Sequence, residues 1–209
     1  ILPTVILTQT IIASLIGYSL ASANLEGSRG RSIARTLREN NLRVNSVFDS
    51  YAHVLWGSAG HVQSGTVDEA SWQRFMSVYN LSKNFSGMEA IGLAYGTNPT
   101  DVTINYVSPK TDATTAAVNI NMGQQPVLVD AMERAAKTGQ TVVSDPLPDL
   151  FSTKKEVSST NAGFLMYTPF YTKETPNNTE AEYMDALGGY TVALFSGDIC
   201  FKKIFANVI

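Results

Sequence analysis

The sequence predicts an α+β protein: an apolar N-terminal helix that crosses a membrane, a long stalk helix continuing from it, and a head built on a five-stranded antiparallel sheet. Three observations carry this expectation. Residues 1–25 hold no charged side chain. In the stretch that follows, Ile33, Leu37, Asn40, Val44, Val47, Tyr51 and Val54 recur in alternating steps of four and three, the spacing of a coiled-coil seam. Beyond that, short β-branched and aromatic runs alternate with helical patterns and turn residues.

Taken in order, Ile1 to Ala21 is Val, Ile, Leu and Ala broken by a few Thr, Gln and Ser. At about 1.5 Å per residue, about twenty such residues span the roughly 30 Å hydrocarbon layer of a bilayer. A transmembrane helix over 1–23 is the expectation. A cleaved signal peptide is the alternative, with the small residues of "YSLASANLEGS" as its cleavage site. The stalk is expected over 24–65, with no proline between Pro3 and Pro99 to interrupt it. Asn40 on the seam costs stability but can set register in a homodimer. The competing reading of the same pattern is one amphipathic helix lying on its own domain. The cluster Arg29, Arg31, Arg35, Arg38 and Arg43 runs against an outside placement of this flank, because cytoplasmic flanks are the ones enriched in Arg and Lys.

The head is expected over 66–209. Thr66 with Glu69 reads as a capping box, followed by a helix whose apolar face is Trp72, Phe75, Met76 and Tyr79. Gly87 ends the connection into a strand over Glu89–Tyr95, the turn "TNPTD" reverses the chain, and Val102–Val107 returns. Pro126 opens a second helix with Leu128, Ala131, Met132 and Ala135 on one face, and Gly139 stops it. Asp130 with Arg134 and Glu133 with Lys137 stand four apart on its exposed side. Thr141–Ser144, Phe164–Tyr171 and Gly189–Phe195 complete the five strands, separated by the Asp145-Pro146 break and by polar loops over Ser152–Asn161 and Thr172–Glu182.

Composition narrows the function. A net charge of −3 offers no basic footprint for nucleic acid, and 44% apolar residues in 209 support a proper core. Cys200 is the single cysteine, flanked by Ile199 and Phe201, and reads as a small buried hydrophobe. His53 and His61 both fall on the stalk with no Cys or carboxylate at ligand spacing, so no metal site is expected. "GYSLASA" and "GSAGH" lack the spacing of a nucleophile elbow, and no glycine-rich phosphate loop occurs. Neither an enzyme active site nor a cofactor is expected within these residues.

The stretch from Asn121 to Tyr171 holds "NMGQQPVLVDAMERAAKTGQTVVSDPL", a polar insertion, and "AGFLMYTPFY". This order resembles the CHASE domain, the extracellular sensory module of membrane histidine kinases and diguanylate cyclases. "SWQRFM", "FSGMEAIGLAYG" and "LGGYTVALFSGDICFKKIF" extend the resemblance over roughly 45–205. The resemblance implies a PAS-like head, a small-molecule ligand, a single-pass membrane anchor with the head extracellular or periplasmic, and continuation of a longer receptor beyond Phe205. It also implies a pocket on the concave face of the sheet, for which Phe164, Met166, Tyr190 and Val192 are the expected walls and Val143 and Ser144 the rim; ordinary core packing is the competing role for each. In plant members that bind adenine-type cytokinins, an Asp pairs with the purine, and Asn121 stands at the matching place, five before Pro126 and seventeen before Thr138. Asn lacks the charge that strengthens such a bond, which weakens the case for an adenine-type ligand, and forming a turn is its competing role. A small neutral ligand is expected, with Lys154 and Lys155 the exception that could swing over an anion; a solvated loop face is their competing role. The alternative from another class is an assembly protein with a pilin-like N-terminal helix, although Val5 stands where such helices usually carry Glu.

Overall fold

The computed structural model describes residues 28–147, 163–172 and 179–206. The apolar run 1–23 and the Lys154–Lys155 pair lie outside the described residues. Among the described residues no helix is long and apolar enough to cross a membrane. The chain falls into two compact units, 1–50 with 204–209, and 51–203.

The elements are α1 (Ser28–Gln63), α2 (Glu69–Ser77), α3 (Leu81–Asn84), β1 (Met88–Asn98), β2 (Asp101–Ser108), α4 (Asp112–Thr115), a 3-10 turn (Met122–Gln124), α5 (Pro126–Thr138), β3 (Val142–Val143), β4 (Gly163–Tyr171), α6 (Glu180–Ala186), β5 (Leu187–Ser196) and α7 (Gly197–Phe205). In the first unit α1 is laced on its exposed side by the Arg35–Glu39 pair at 2.9 Å, and Leu42 is exposed.

The second unit is built on one sheet of order β2-β1-β5-β4-β3, every pair antiparallel. This is the predicted five-stranded sheet, with β3 reduced to two residues because Asp145 and Pro146 end it. The β1–β2 hairpin closes where Asn98 Oδ1 accepts from the Thr100 N–H at 3.0 Å, the side chain standing in for a backbone turn. Helix α5 forms as its residues dictate: Pro126 sits in the first turn, Leu128, Ala131, Met132, Ala135 and Ala136 are buried, and Gly139 takes the left-handed cap at φ 66°. Both (i, i+4) ion pairs close, Arg134 to Asp130 at 2.9 Å and Lys137 to Glu133 at 3.2 Å.

One cap departs from expectation. The capping box of α2 is Asp68 with Ser71, not Thr66 with Glu69. Asp68 Oδ1 accepts from the Ser71 N–H at 2.7 Å, and Ser71 Oγ accepts from the Asp68 N–H at 3.0 Å. A carboxylate is the stronger acceptor at the positive end of a helix, and these bonds from Ser71 hold its pKa below the usual carboxylate range. From there α2 buries Trp72 and Met76 and reaches β2 through Gln73, whose Nε2 donates to Val107 O at 2.5 Å.

The end of α1 packs on one face of the sheet. The fully buried Thr191 donates through Oγ1 to Leu55 O at 3.0 Å, the Tyr51 hydroxyl donates to Ser86 O at 2.6 Å, and the Tyr51 ring lies 5.0 Å from Phe195. Val54 is buried as well. The seam positions Tyr51 and Val54 are therefore buried within a single copy, Tyr51 against the sheet, so from Tyr51 onward the competing reading, a helix lying on its own domain, describes the packing. Cys200 is buried at the start of α7, and burial pushes its thiol up to about 11, so it behaves as the expected small hydrophobe. Gly87, at φ 82°, lets α7 approach so closely that a Cβ there would stand 2.6 Å from Cys200 Cα.

Candidate ligand-binding site

Strand pairing decides which side chains share a face. Phe164 pairs with Phe195, Met166 with Ala193 and Thr168 with Thr191, and in antiparallel pairs directly opposed side chains project to the same side. Because Thr191 and Phe195 meet α1, all of these belong to the helix side. Leu165 with Leu194, Tyr167 with Val192 and Pro169 with Tyr190 belong to the other side. On β1, Ala90 opposite Leu194 and Gly92 opposite Val192 join that second face.

This second face is covered in two parts. Over β4 and β5, α5 is tied down by two buried tyrosines: the Tyr190 hydroxyl donates to Met132 O and the Tyr171 hydroxyl to Ala136 O, each at 3.0 Å. Burial pushes both phenols well above their ordinary range, so both remain donors at any physiological pH. Over β1 and β2, the segment 109–121 with α4 forms the cover, stitched to β2 by Asn119 N–H to Ile104 O at 2.8 Å and Ile104 N–H to Ile120 O at 3.2 Å.

Beneath that cover lies a small cavity of about 20 Å³. Ala90, Gly92, Val192, Leu194 and Leu165 form its floor, Ile104 and Val107 its β2 wall, and Thr114 and Ala117 its roof. Among the described residues its lining carries no ionisable group, and the one polar side chain there is already engaged, Thr114 Oγ1 donating to Pro109 O at 2.7 Å. The volume admits about one water-sized sphere, whereas ligand pockets run to several hundred Å³, so a small molecule enters only if the cover moves. A wider groove of about 330 Å³ lies elsewhere, between Pro146, Gly163, Phe164, Asp198, Phe201 and Lys202.

The expected site residues are thus divided. Val192 lines the cavity, and Tyr190 shares its face but serves as a strut to α5. Phe164 and Met166 sit on the opposite side, Phe164 stacked on Phe195 at 4.7 Å and Met166 opposite Ala193, so they cannot wall one cavity with Tyr190 and Val192. Val143 pairs with Met166 and goes with it. Ser144 is buried within the sheet, its Oγ accepting from the Leu165 N–H at 3.0 Å and donating to Asp145 O at 2.9 Å. Asn121 caps the 3-10 turn: its Oδ1 accepts from the Gly123 N–H at 2.8 Å and its Nδ2 donates to Asp101 Oδ1 at 2.9 Å. That is the turn-forming role, and it occupies both ends of the amide. His61 stacks on Phe75 at 4.1 Å and His53 stands edge-on to Trp56 at 5.1 Å.

Three of the cavity residues that sequence reasoning missed are small. Ala90, Gly92 and Ala117 make space by lacking side chain, and the alternation of Ala90 and Gly92 in "EAIGLAYG" was the available signal. Also on this face, the fully buried Tyr167 has its hydroxyl 3.7 Å from Met122 Sδ and its ring edge-on to Tyr190 at 6.0 Å.

The CHASE domain model matches residues 95–208, more than half of the 209. Among solved structures, the ligand-binding domain of the amino acid chemoreceptor PctC of Pseudomonas aeruginosa PAO1, in complex with GABA, superposes with a TM-score of 0.57 at 13% identity, over 86% of this chain and 67% of that one. At that identity the likeness speaks for the fold alone. No curated protein matches the sequence.

Proposed function

Because this chain belongs to the CHASE domain family, we propose that it is the extracellular or periplasmic sensory domain of a membrane-anchored signalling protein, holding a small neutral ligand beneath the 109–121 cover. The carrying observation is the lining of the cavity: aliphatic and small residues with no charge and no free polar group. An unpaired charge buried there would be heavily penalised, so the ligand class follows from desolvation. No reaction is proposed for this chain, since the cavity offers neither nucleophile nor base.

Transmission follows from the place of β5. Val192 faces the cavity while its neighbours Thr191 and Ala193 face the α1 side, so a ligand that displaces β5 also moves the strand that holds Leu55 and Tyr51. A few kcal/mol of differential affinity between two arrangements is enough to bias them. With Val44, Tyr51 and Val54 already buried within one copy, a parallel homodimer pairs through the seam positions of α1 that stay partly open, Leu37, Asn40 and Val47. Single cysteines placed from Leu37 to Val47 in the full chain should cross-link between copies with helical periodicity; aperiodic or absent cross-links would refute the dimer.

Val192→Phe tests the site. The added ring overfills the cavity at a cost of about 1–3 kcal/mol. A neutral ligand found by melting the full chain against a metabolite panel should add about 2.7 kcal/mol at a hundred times its Kd. In the variant that gain should vanish while the melt stays cooperative. An undiminished gain would place the site elsewhere, and tight binding of a dicarboxylate or phosphate that weakens steeply with salt would overturn the neutral-ligand reading.

A further inference from the structure

One buried hydroxyl on the cavity's face has only a weak partner among the described residues. Tyr167 is fully buried, and its hydroxyl's one hydrogen-bond partner among the described residues is the Met122 thioether, at 3.7 Å. Thioether sulfur is a weak acceptor, and a buried hydroxyl that lacks a good partner is costly. The two other buried tyrosines of this face show the contrast, since Tyr190 and Tyr171 each reach a backbone carbonyl at 3.0 Å. Position links this hydroxyl to the cavity. Tyr167 is paired with Val192 and follows Leu165 on the same face, and both of those line the cavity. Met122 opens the 3-10 turn immediately after the 109–121 cover, and it is buried. Methionine is unbranched, with three rotatable bonds, so it is a side chain that can withdraw without the backbone rearranging.

We propose that the Tyr167 hydroxyl is the hydrogen-bond donor of the ligand site, capped by Met122 until a ligand carrying a neutral acceptor (a carbonyl, an ether or an unprotonated ring nitrogen) displaces the thioether and takes the bond. This rests on the reading of the cavity as the ligand site and adds a polar requirement to it. Burial pushes the Tyr167 phenol well above its ordinary range, so it stays protonated and keeps its donor. A cationic partner is disfavoured, because the neighbours shown for this buried side chain, the Met122 thioether and the Tyr190 ring, include no group that balances a charge. A ligand built wholly of hydrocarbon would leave the hydroxyl no better satisfied than Met122 does.

Two probes of one shape separate these cases: 4-methylpyridine, held at a pH where its nitrogen carries no proton, and toluene. Both are titrated into the full chain with tyrosine labelled at Cζ by carbon-13. The wild type should bind 4-methylpyridine about fivefold to tenfold more tightly than toluene, the value of one neutral hydrogen bond. The Tyr167 Cζ resonance should shift with 4-methylpyridine and not with toluene. Tyr167→Phe should equalise the two probes, and Met122→Leu, which removes the thioether and keeps the bulk, should widen the preference. If both probes bind equally, Val192→Phe blocks both, and the Tyr167 resonance stays still, the donor role is overturned while the cavity stands. If neither probe binds the wild type, or Val192→Phe blocks neither, the cavity reading falls and the donor role falls with it.

Discussion

Replacing Phe195 by alanine should destabilise the head by about 3–5 kcal/mol, the range for truncating a buried aromatic ring. The ring is 1% exposed, stacks on Phe164 at 4.7 Å with an interplanar angle of 6°, and tilts against Tyr51 at 5.0 Å. It therefore joins β4, β5 and α1 at one point, in the central strand of the sheet. Truncation removes contacts to all three, and flanking strands fixed by their hydrogen-bond ladders have little freedom to collapse into the gap. Denaturant unfolding measures the loss as a drop in midpoint at unchanged slope. A loss under about 1 kcal/mol would mean that α1 does not seat on this face.

Met166→Ala should cost about 2–5 kcal/mol and leave ligand-induced stabilisation intact. Met166 is 1% exposed and pairs with Val143 and Ala193 on the α1 side, away from the cavity. The two readouts are independent, because a destabilised but folded protein still gains the full linkage energy from any ligand whose site is untouched. Loss of the ligand effect with little change in unfolding midpoint would move the pocket to the α1 side and restore Met166 as a wall.

Much of the fold was legible in the residues. Helix α5 carried every local signal it needed, from Pro126 in its first turn to Gly139 in the left-handed cap, and its ends fell where those residues placed them. The hairpin of β1 and β2 was equally plain, because Asn98 to Asp101 can only be a turn. Caps were less secure. Thr66 and Asp68 are both good N-caps, and only the geometry of the chain leaving α1 shows that Asp68, two residues later, receives the Ser71 N–H. Asn121 offered a ligand contact and a turn on equal terms; the bonds to Gly123 and Asp101 reveal the turn.

By itself the sequence determined the class of the protein: the family, the five antiparallel strands, and the two alternating sets of side chains along each strand. Phe164, Met166 and Thr168 were correctly one set, as were Tyr190, Val192 and Leu194. Only the tertiary structure decided that these sets lie on opposite sides of the sheet. Period two sorts the residues of a single strand, but joining the sets of two strands requires the pairing register, and a shift of one residue exchanges the faces. Hydrophobicity offers no help where both faces are covered, as on β4 and β5, whose residues are buried nearly throughout. The cavity therefore belongs to Leu165 and Val192 and not to Met166, for a reason carried by the hydrogen-bond ladder and by no residue alone.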